Sequence, residues 1–118
     1  MMNKRQVGSK WEDEAARFLT QCGLVVKDLN FRSRFGEIDI VATDDDYYVF
    51  VEVKYRKTAS FGNPEEAVTL SKARTISKTA DYYRLCKKLP EDTKIRFDVV
   101  AIEGENFKWY KNAFYYMP

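Results

Sequence analysis

The chain has 118 residues, enough for one domain with its own core and too few for two. Hydrophobic residues make up 45% and charged residues 32%, and the net charge is only +2, which excludes a global polycation. There is no histidine and there are two cysteines, so Ser-His-Asp and Cys-His catalysis, every histidine-containing zinc site and a four-thiolate zinc site within the chain are all excluded.

Any metal must then be held by oxygen, which points to Mg²⁺ or Mn²⁺. Cys22 and Cys86 lack C-x-x-C spacing and suit reduced thiols in a cytoplasm. No apolar run approaches the ~20 residues of a membrane span, and no signal-peptide pattern opens the chain, so no membrane partner is expected.

In chain order, residues 1–7 are polar and basic and are expected to be disordered. Gly8-Ser9 opens a helix, with Ser9 as N-cap and Glu12 closing a capping box. Trp11, Ala15, Phe18, Leu19 and Cys22 form its apolar face, and Gly23 is the stop. Glu12 thus has a structural role; a functional one requires this helix to cross near the acidic strands that follow. Residues 24–32 read as a strand, irregular near Asp28.

Gly36–Val41 and Phe50–Lys54 both alternate with period two and read as two strands. Asp44, Asp45 and Asp46 suit the turn between them. Folded as a hairpin, the pair sets Asp39 opposite Glu52, Glu37 opposite Lys54 and Val41 opposite Phe50 on one face. Ile38, Ile40, Val49, Val51 and Val53 take the other. Opposed like charges destabilise a strand pair, and the run from Tyr47 to Val51 is apolar on both faces, as in a strand covered on both sides. Carboxylates there are costly unless a divalent cation or a lysine pairs with them. The alternative is a half-exposed hairpin whose polar face carries Glu, Asp and Lys.

Arg56 to Gly62 makes a polar loop, and Asn63-Pro64-Glu65-Glu66 has the residues of a helix start. That second helix carries an apolar stripe of Leu70, Ala73, Ile76, Ala80 and Tyr83 and ends before Pro90. Ile95–Ile102 is a fourth strand, Glu103–Asn106 a turn, and Phe107–Tyr116 an aromatic fifth strand. Trp109 and Tyr115, exposed on that strand, would offer a homodimer contact. Helix, three strands, helix, two strands predicts an α/β domain spanning 1–118: a mixed central sheet of about five strands flanked by helices. The second helix would be the right-handed crossover.

Arg32, Arg34, Lys54, Arg56 and Lys57 flank the acidic strands. Lys72, Arg74, Lys78, Arg84, Lys87 and Lys88 crowd the second helix, with only Asp81 among them. Basic zones around an acidic centre suit a polyanion bound through a metal, against the alternative of an ordinary solvated surface. With no histidine available, Asp39, Glu52 and Lys54 on one face suit metal-assisted attack of water on a phosphodiester. Asp39 and Glu52 would hold the cation together with the Val53 carbonyl, and Lys54 would orient the water or stabilise the phosphate.

Asp39 followed by Glu52-Val53-Lys54 resembles the PD-(D/E)XK signature of restriction-endonuclease-like nucleases. The fuller pattern is similar to the small bacterial YraN family of predicted endonucleases, which are related to archaeal Holliday junction resolvases. It comprises Gly8, Glu12, Asn30-Phe31-Arg32, Gly36-Glu37-Ile38-Asp39, Phe50 to Arg56, Arg96-Phe97-Asp98-Val99-Val100 and Asn112-Ala113-Phe114. It covers residues 8–114. Ile38 stands where the superfamily has proline, which is not a ligand.

The resemblance implies a restriction-endonuclease-like fold and a metal-dependent endonuclease acting on DNA rather than RNA, at branched or other non-duplex sites. It implies Asp39 and Glu52 as metal ligands, Lys54 as the catalytic lysine and Glu12 as a helix-borne acid near the metal. Glu37 and Asp98 would take supporting or structural positions. Arg32, Arg34, Arg56, Lys57 and Lys72 would contact nucleic acid. The alternative from another class is a catalytically inert protein on the same fold that binds nucleic acid or an unidentified protein partner.

Overall fold

A computed structural model describes residues 4–56 and 68–118, with side chains from Lys10 onward. Lys57, the remainder of the polar loop and the Asn63-Pro64 helix start lie outside the described residues.

Helix α1 spans Lys4–Gln21. It begins before Ser9, so Ser9 lies within the helix rather than capping it, and residues 4–7, expected to be disordered, form its first turn. Its end follows the sequence. Gly23 adopts φ +103°, a region open to glycine, and its N–H donates to the Thr20 carbonyl while Leu24 N–H donates to Leu19. Cys22, expected on the apolar face, is exposed beyond the last turn.

Five strands follow: β1 Val25–Arg32, β2 Glu37–Asp44, β3 Tyr47–Arg56, β4 Lys94–Glu103 and β5 Asn106–Tyr110. Helix α2, Leu70–Cys86, lies between β3 and β4. The strands form one sheet in the order β1-β2-β3-β4-β5, antiparallel throughout except for the parallel β3–β4 pair that the α2 crossover requires. This is the mixed, helix-flanked sheet of a restriction-endonuclease-like α/β domain. The β1–β2 register shifts between Val26 and Asp28, at the irregularity anticipated near Asp28. Val41 pairs with Phe50 as the alternation requires, and Asp45 turns the β2–β3 hairpin at φ +54°.

The helices cover opposite faces. Ala15 and Leu19 of α1 pack on Ile40, Val49, Val51, Val100 and Ile102. Ile76, Ala80 and Tyr83 of α2 pack on Val41, Phe50 and Phe97. Successive residues of β3 therefore enter different cores, which is why its sequence is apolar on both faces. Thr69 caps α2 by accepting from the Lys72 N–H. Leu70, expected in the buried stripe, is exposed, and Ser77 and Thr79 are buried in its place, each donating its hydroxyl to a carbonyl one turn back.

The last strand is shorter than expected. It ends at Tyr110, and Trp109 is partly buried against the α1-side core, donating Nε1–H to Asp98 at 2.9 Å. Trp109 is therefore not the exposed contact residue the sequence suggests, and Tyr115, though exposed, lies beyond the strand. No helix of the described residues is long and apolar enough to cross a membrane.

Candidate metal centre

The site forms where β2 leaves its regular course. Ile38 packs in the α2-side core, while Ile40, two residues on, packs in the α1-side core. Residues two apart in a regular strand share a face, so the alternation breaks between them, and Asp39 sits at the break. The regular β2–β3 register ends at Ile40–Val51, and the Val53 N–H instead donates to Asp39 Oδ2 at 2.8 Å. On the other side of β2, Asn30 takes φ +54°, a conformation that asparagine tolerates better than most residues. The expected arrangement, with Ile38 and Ile40 on one face and Glu37 facing Lys54, is corrected accordingly.

The break brings Glu37 and Asp39 onto Glu12 of α1. Carboxylate oxygens of the three lie within 4.8 Å of one another. The Asp39 and Asn30 side chains adjoin the Glu12 carboxylate, yet its Oε2 is buried with no partner. An aromatic stack fixes the crossing. Trp11, beside Glu12, lies on Tyr55, beside Lys54, with ring centroids 3.9 Å apart and planes 9° from parallel. Such a pair contributes about 0.5–1.5 kcal/mol beyond its buried area.

Glu52 lies beside this trio. It is 6% exposed, and its Oε1 is 3.6 Å from Lys54 Nζ and 3.8 Å from Lys72 Nζ of α2. Burial, and then the Asp39 charge, pushes Glu52 up to about 7. Burial likewise raises Asp39 against the Val53 hydrogen bond, and Glu12 is pushed up to about 8 by burial and then by Asp39. Three carboxyls that resist ionisation, one with an orphaned oxygen, fit a missing positive charge. Every donor is oxygen, which suits Mg²⁺ or Mn²⁺ and not zinc.

These shifts have a consequence for stability. An acid whose pKa is raised by folding costs the folded state as it ionises, so the cation-free protein should lose stability as pH rises from about 4.5 through 7 to about 8. Thermal melts across about pH 5–9 should show Tm falling through this window, and saturating Mn²⁺ at about pH 8 should restore it. A Tm that is level or rising across the same window would contradict the charge crowding described.

Of the other sequence candidates, Arg32 reaches the trio, 3.6 Å from Glu37, and the rest are dispersed. Arg34 lies over the Phe35 ring, 5.0 Å from its centroid. Arg56 stands beside Glu103 in the backbone register of β3 and β4, and Lys57 lies outside the described residues. Asp98 is fully buried, and its carboxylate is occupied by Arg96, the Trp109 indole and the Asn112 N–H, a structural role. Sequence reasoning left out Asn30, Trp11 and Tyr55 and gave Glu37 only a supporting part. The Asn30-Phe31-Arg32 run was the available signal for the first.

A family model described as "Uncharacterised protein family UPF0102" matches residues 11–102. A UPF0102 protein of Lachnoclostridium phytofermentans is 50% identical over 113 residues, covering 96% of each chain. One from Aliivibrio fischeri is 46% identical over 114 residues, covering 94% of this chain and 93% of its own. One from Fusobacterium nucleatum is 41% identical over 111 residues, covering 94% and 92%.

Proposed function

The chain belongs to the uncharacterised protein family UPF0102, and we propose that it is a divalent-metal-dependent endonuclease hydrolysing DNA phosphodiester bonds at branched or other non-duplex sites. The observation that carries this reading is the trio of Glu12, Glu37 and Asp39 with its orphaned Glu12 oxygen, set beside Glu52 and two lysines. An acidic trio alone would be only a cation site. The adjacent lysines supply what phosphate chemistry needs.

Mg²⁺ or Mn²⁺ held by Asp39, Glu12 and Glu37, with Glu52 alongside, would lower the pKa of a water molecule and neutralise charge on the phosphate. The Val53 N–H fixes the Asp39 carboxylate, and the Trp11–Tyr55 stack fixes Glu12 against β3. Lys54 is held at the site by Glu52 while a third of its side chain remains open to solvent. From there its ammonium can orient the attacking water or donate to a phosphate oxygen as charge develops. Lys72, more exposed, meets the flanking phosphate. Two free, exposed cysteines suit a reducing cytoplasm.

Calorimetric titration with Mg²⁺ and Mn²⁺, together with cleavage assays on four-way, flap, nicked, single-stranded and duplex DNA, tests the proposal. Wild-type protein should bind the cation and cut at least one non-duplex substrate. Lys54→Ala should slow cutting by about 10²–10³-fold while leaving DNA affinity largely intact, because its contact matures in the transition state. If wild-type protein binds DNA and cuts none of these with either metal, an inert nucleic-acid-binding protein becomes the better reading.

A further inference from the structure

We propose that the groove between the β1–β2 loop and α2 is a docking site for an unpaired DNA base and its adjoining phosphate, with Phe35 as the stacking face. The inference rests on the endonuclease reading and deepens it by naming the feature of DNA that is recognised.

The groove encloses about 660 Å³, within the range of small-ligand sites, and its walls include Arg34, Phe35, Lys78, Tyr82 and Leu85. Phe35, Tyr82 and Leu85 are 40%, 42% and 75% exposed, an apolar surface left open beside two cations. The Arg34 guanidinium and the Lys78 ammonium lie 5.0 and 5.8 Å from the centre of the Phe35 ring. The carboxylate in the groove, Asp81, is already occupied: it lies 3.7 Å from Arg84 and accepts the Tyr116 hydroxyl at 2.6 Å. The groove therefore presents aromatic surface with net positive charge. A base offers a π-face and the phosphate next to it an anion, so an unpaired nucleotide matches both features at once. On binding, a base would replace one cation over the ring, and the displaced cation would meet the phosphate.

The platform is tied down. Ser33 N–H donates to the Gly36 carbonyl at 2.8 Å, Phe35 N–H donates to Ser33 Oγ at 3.0 Å, and Ser33 Oγ lies 3.3 Å from Thr79 Oγ1 of α2. A Cβ on Gly36 would fall 2.5 Å from Thr75 Cγ2, so glycine is what allows the loop to seat so closely on the helix. Phe35 is thus held out into solvent by a loop fixed at both ends.

The groove also lies within reach of the acidic centre. Asp39 is four residues beyond Phe35, at most about 14 Å of extended chain. Lys72, which reaches Glu52, is six residues before Lys78, or about 9 Å along α2. These spans amount to no more than about four nucleotides at ~3.4 Å per step, so a strand entering the site could place an unpaired base on Phe35.

The test measures binding of a single-stranded oligonucleotide carrying 2-aminopurine, and of a blunt duplex, without divalent cation so that neither is cut. Phe35→Ala should weaken single-strand binding by about 5- to 150-fold and leave duplex binding unchanged, whereas Phe35→Trp should retain it. Lys78→Gln should reduce the salt slope by about one. Mn²⁺ affinity and Tm should be unchanged in all three, with Phe35→Leu as a further variant that keeps apolar bulk but lacks the stacking face. Wild-type affinity in Phe35→Ala, or equal losses on single strand and duplex, overturns the inference while leaving metal-dependent cutting intact. Groove variants that alter only self-association in sedimentation overturn it in favour of a protein contact. Wild-type protein that binds neither oligonucleotide overturns this inference, and cleavage with Mg²⁺ or Mn²⁺ then decides the endonuclease reading separately.

Discussion

Replacing Asp39 by asparagine is expected to abolish both cation binding and DNA cutting while making the cation-free protein more stable. The Asp39→Asn side chain keeps an oxygen to accept the Val53 N–H, so the splayed end of β2 should hold its place. What is lost is one negative charge from a crowded set. Metal stabilisation of the transition state amounts to several kcal/mol, so cutting should fall by at least about 10³-fold. Burial and the Asp39 charge are the two largest causes of the raised Glu12, so removing the second should bring Glu12 down from about 8. Relief of that repulsion should raise Tm near pH 8 by a few degrees, corresponding to about 1 kcal/mol, and flatten the fall of Tm with pH. A lower Tm, or Mn²⁺ affinity equal to wild type, would remove the basis for the metal centre.

Asp98→Ala should have the largest effect on stability. The carboxylate is fully buried and accepts from Arg96 Nε and Nη2, Trp109 Nε1 and the Asn112 N–H, all at 2.9 Å. One side chain thereby ties β4 to β5 and to the segment beyond it. Truncation leaves the largely buried Arg96 with Asp44, at 3.0 Å, and strands two further donors. Breaking a buried pair in this way costs about 3–5 kcal/mol, which for a domain of this size lowers Tm by more than about 10 °C. Chemical denaturation would measure it. Because the partners of Asp98 do not include the acidic trio, Mn²⁺ affinity of the remaining folded fraction should match wild type. A loss below about 1 kcal/mol would show that these bonds are replaceable by water.

Much of this was legible in one dimension. Period-two alternation in residues 36–41 and 50–54 marked the central hairpin and its Val41–Phe50 register, because side-chain direction in a strand is set by the backbone itself. Gly23 marked the end of α1 for an equally local reason, its positive φ. The start of α1 was misplaced because Ser9 and Glu12 form a capping box only if the chain upstream is not helical, and it is helical from Lys4. Trp109 was misassigned to the surface because its partner, Asp98, belongs to another strand.

Composition alone dictated that any metal site here must be built of oxygen, since the chain contains no histidine and two distant cysteines. Spacing alone singled out Asp39, Glu52 and Lys54, and the likeness to a known pattern added Glu12. Which carboxylates meet was a matter of packing. Glu37 joins Glu12 and Asp39 because the alternation of β2 breaks at Asp39, whose side chain takes the Val53 N–H. Glu52 instead turns to Lys54 and Lys72. The groove at Phe35 likewise forms where its loop presses on α2, a helix remote from it in sequence, with Gly36 set close against Thr75. Periodicity fixes which way a side chain points relative to its own element. Which elements face one another depends on packing between distant segments, and that no local pattern encodes.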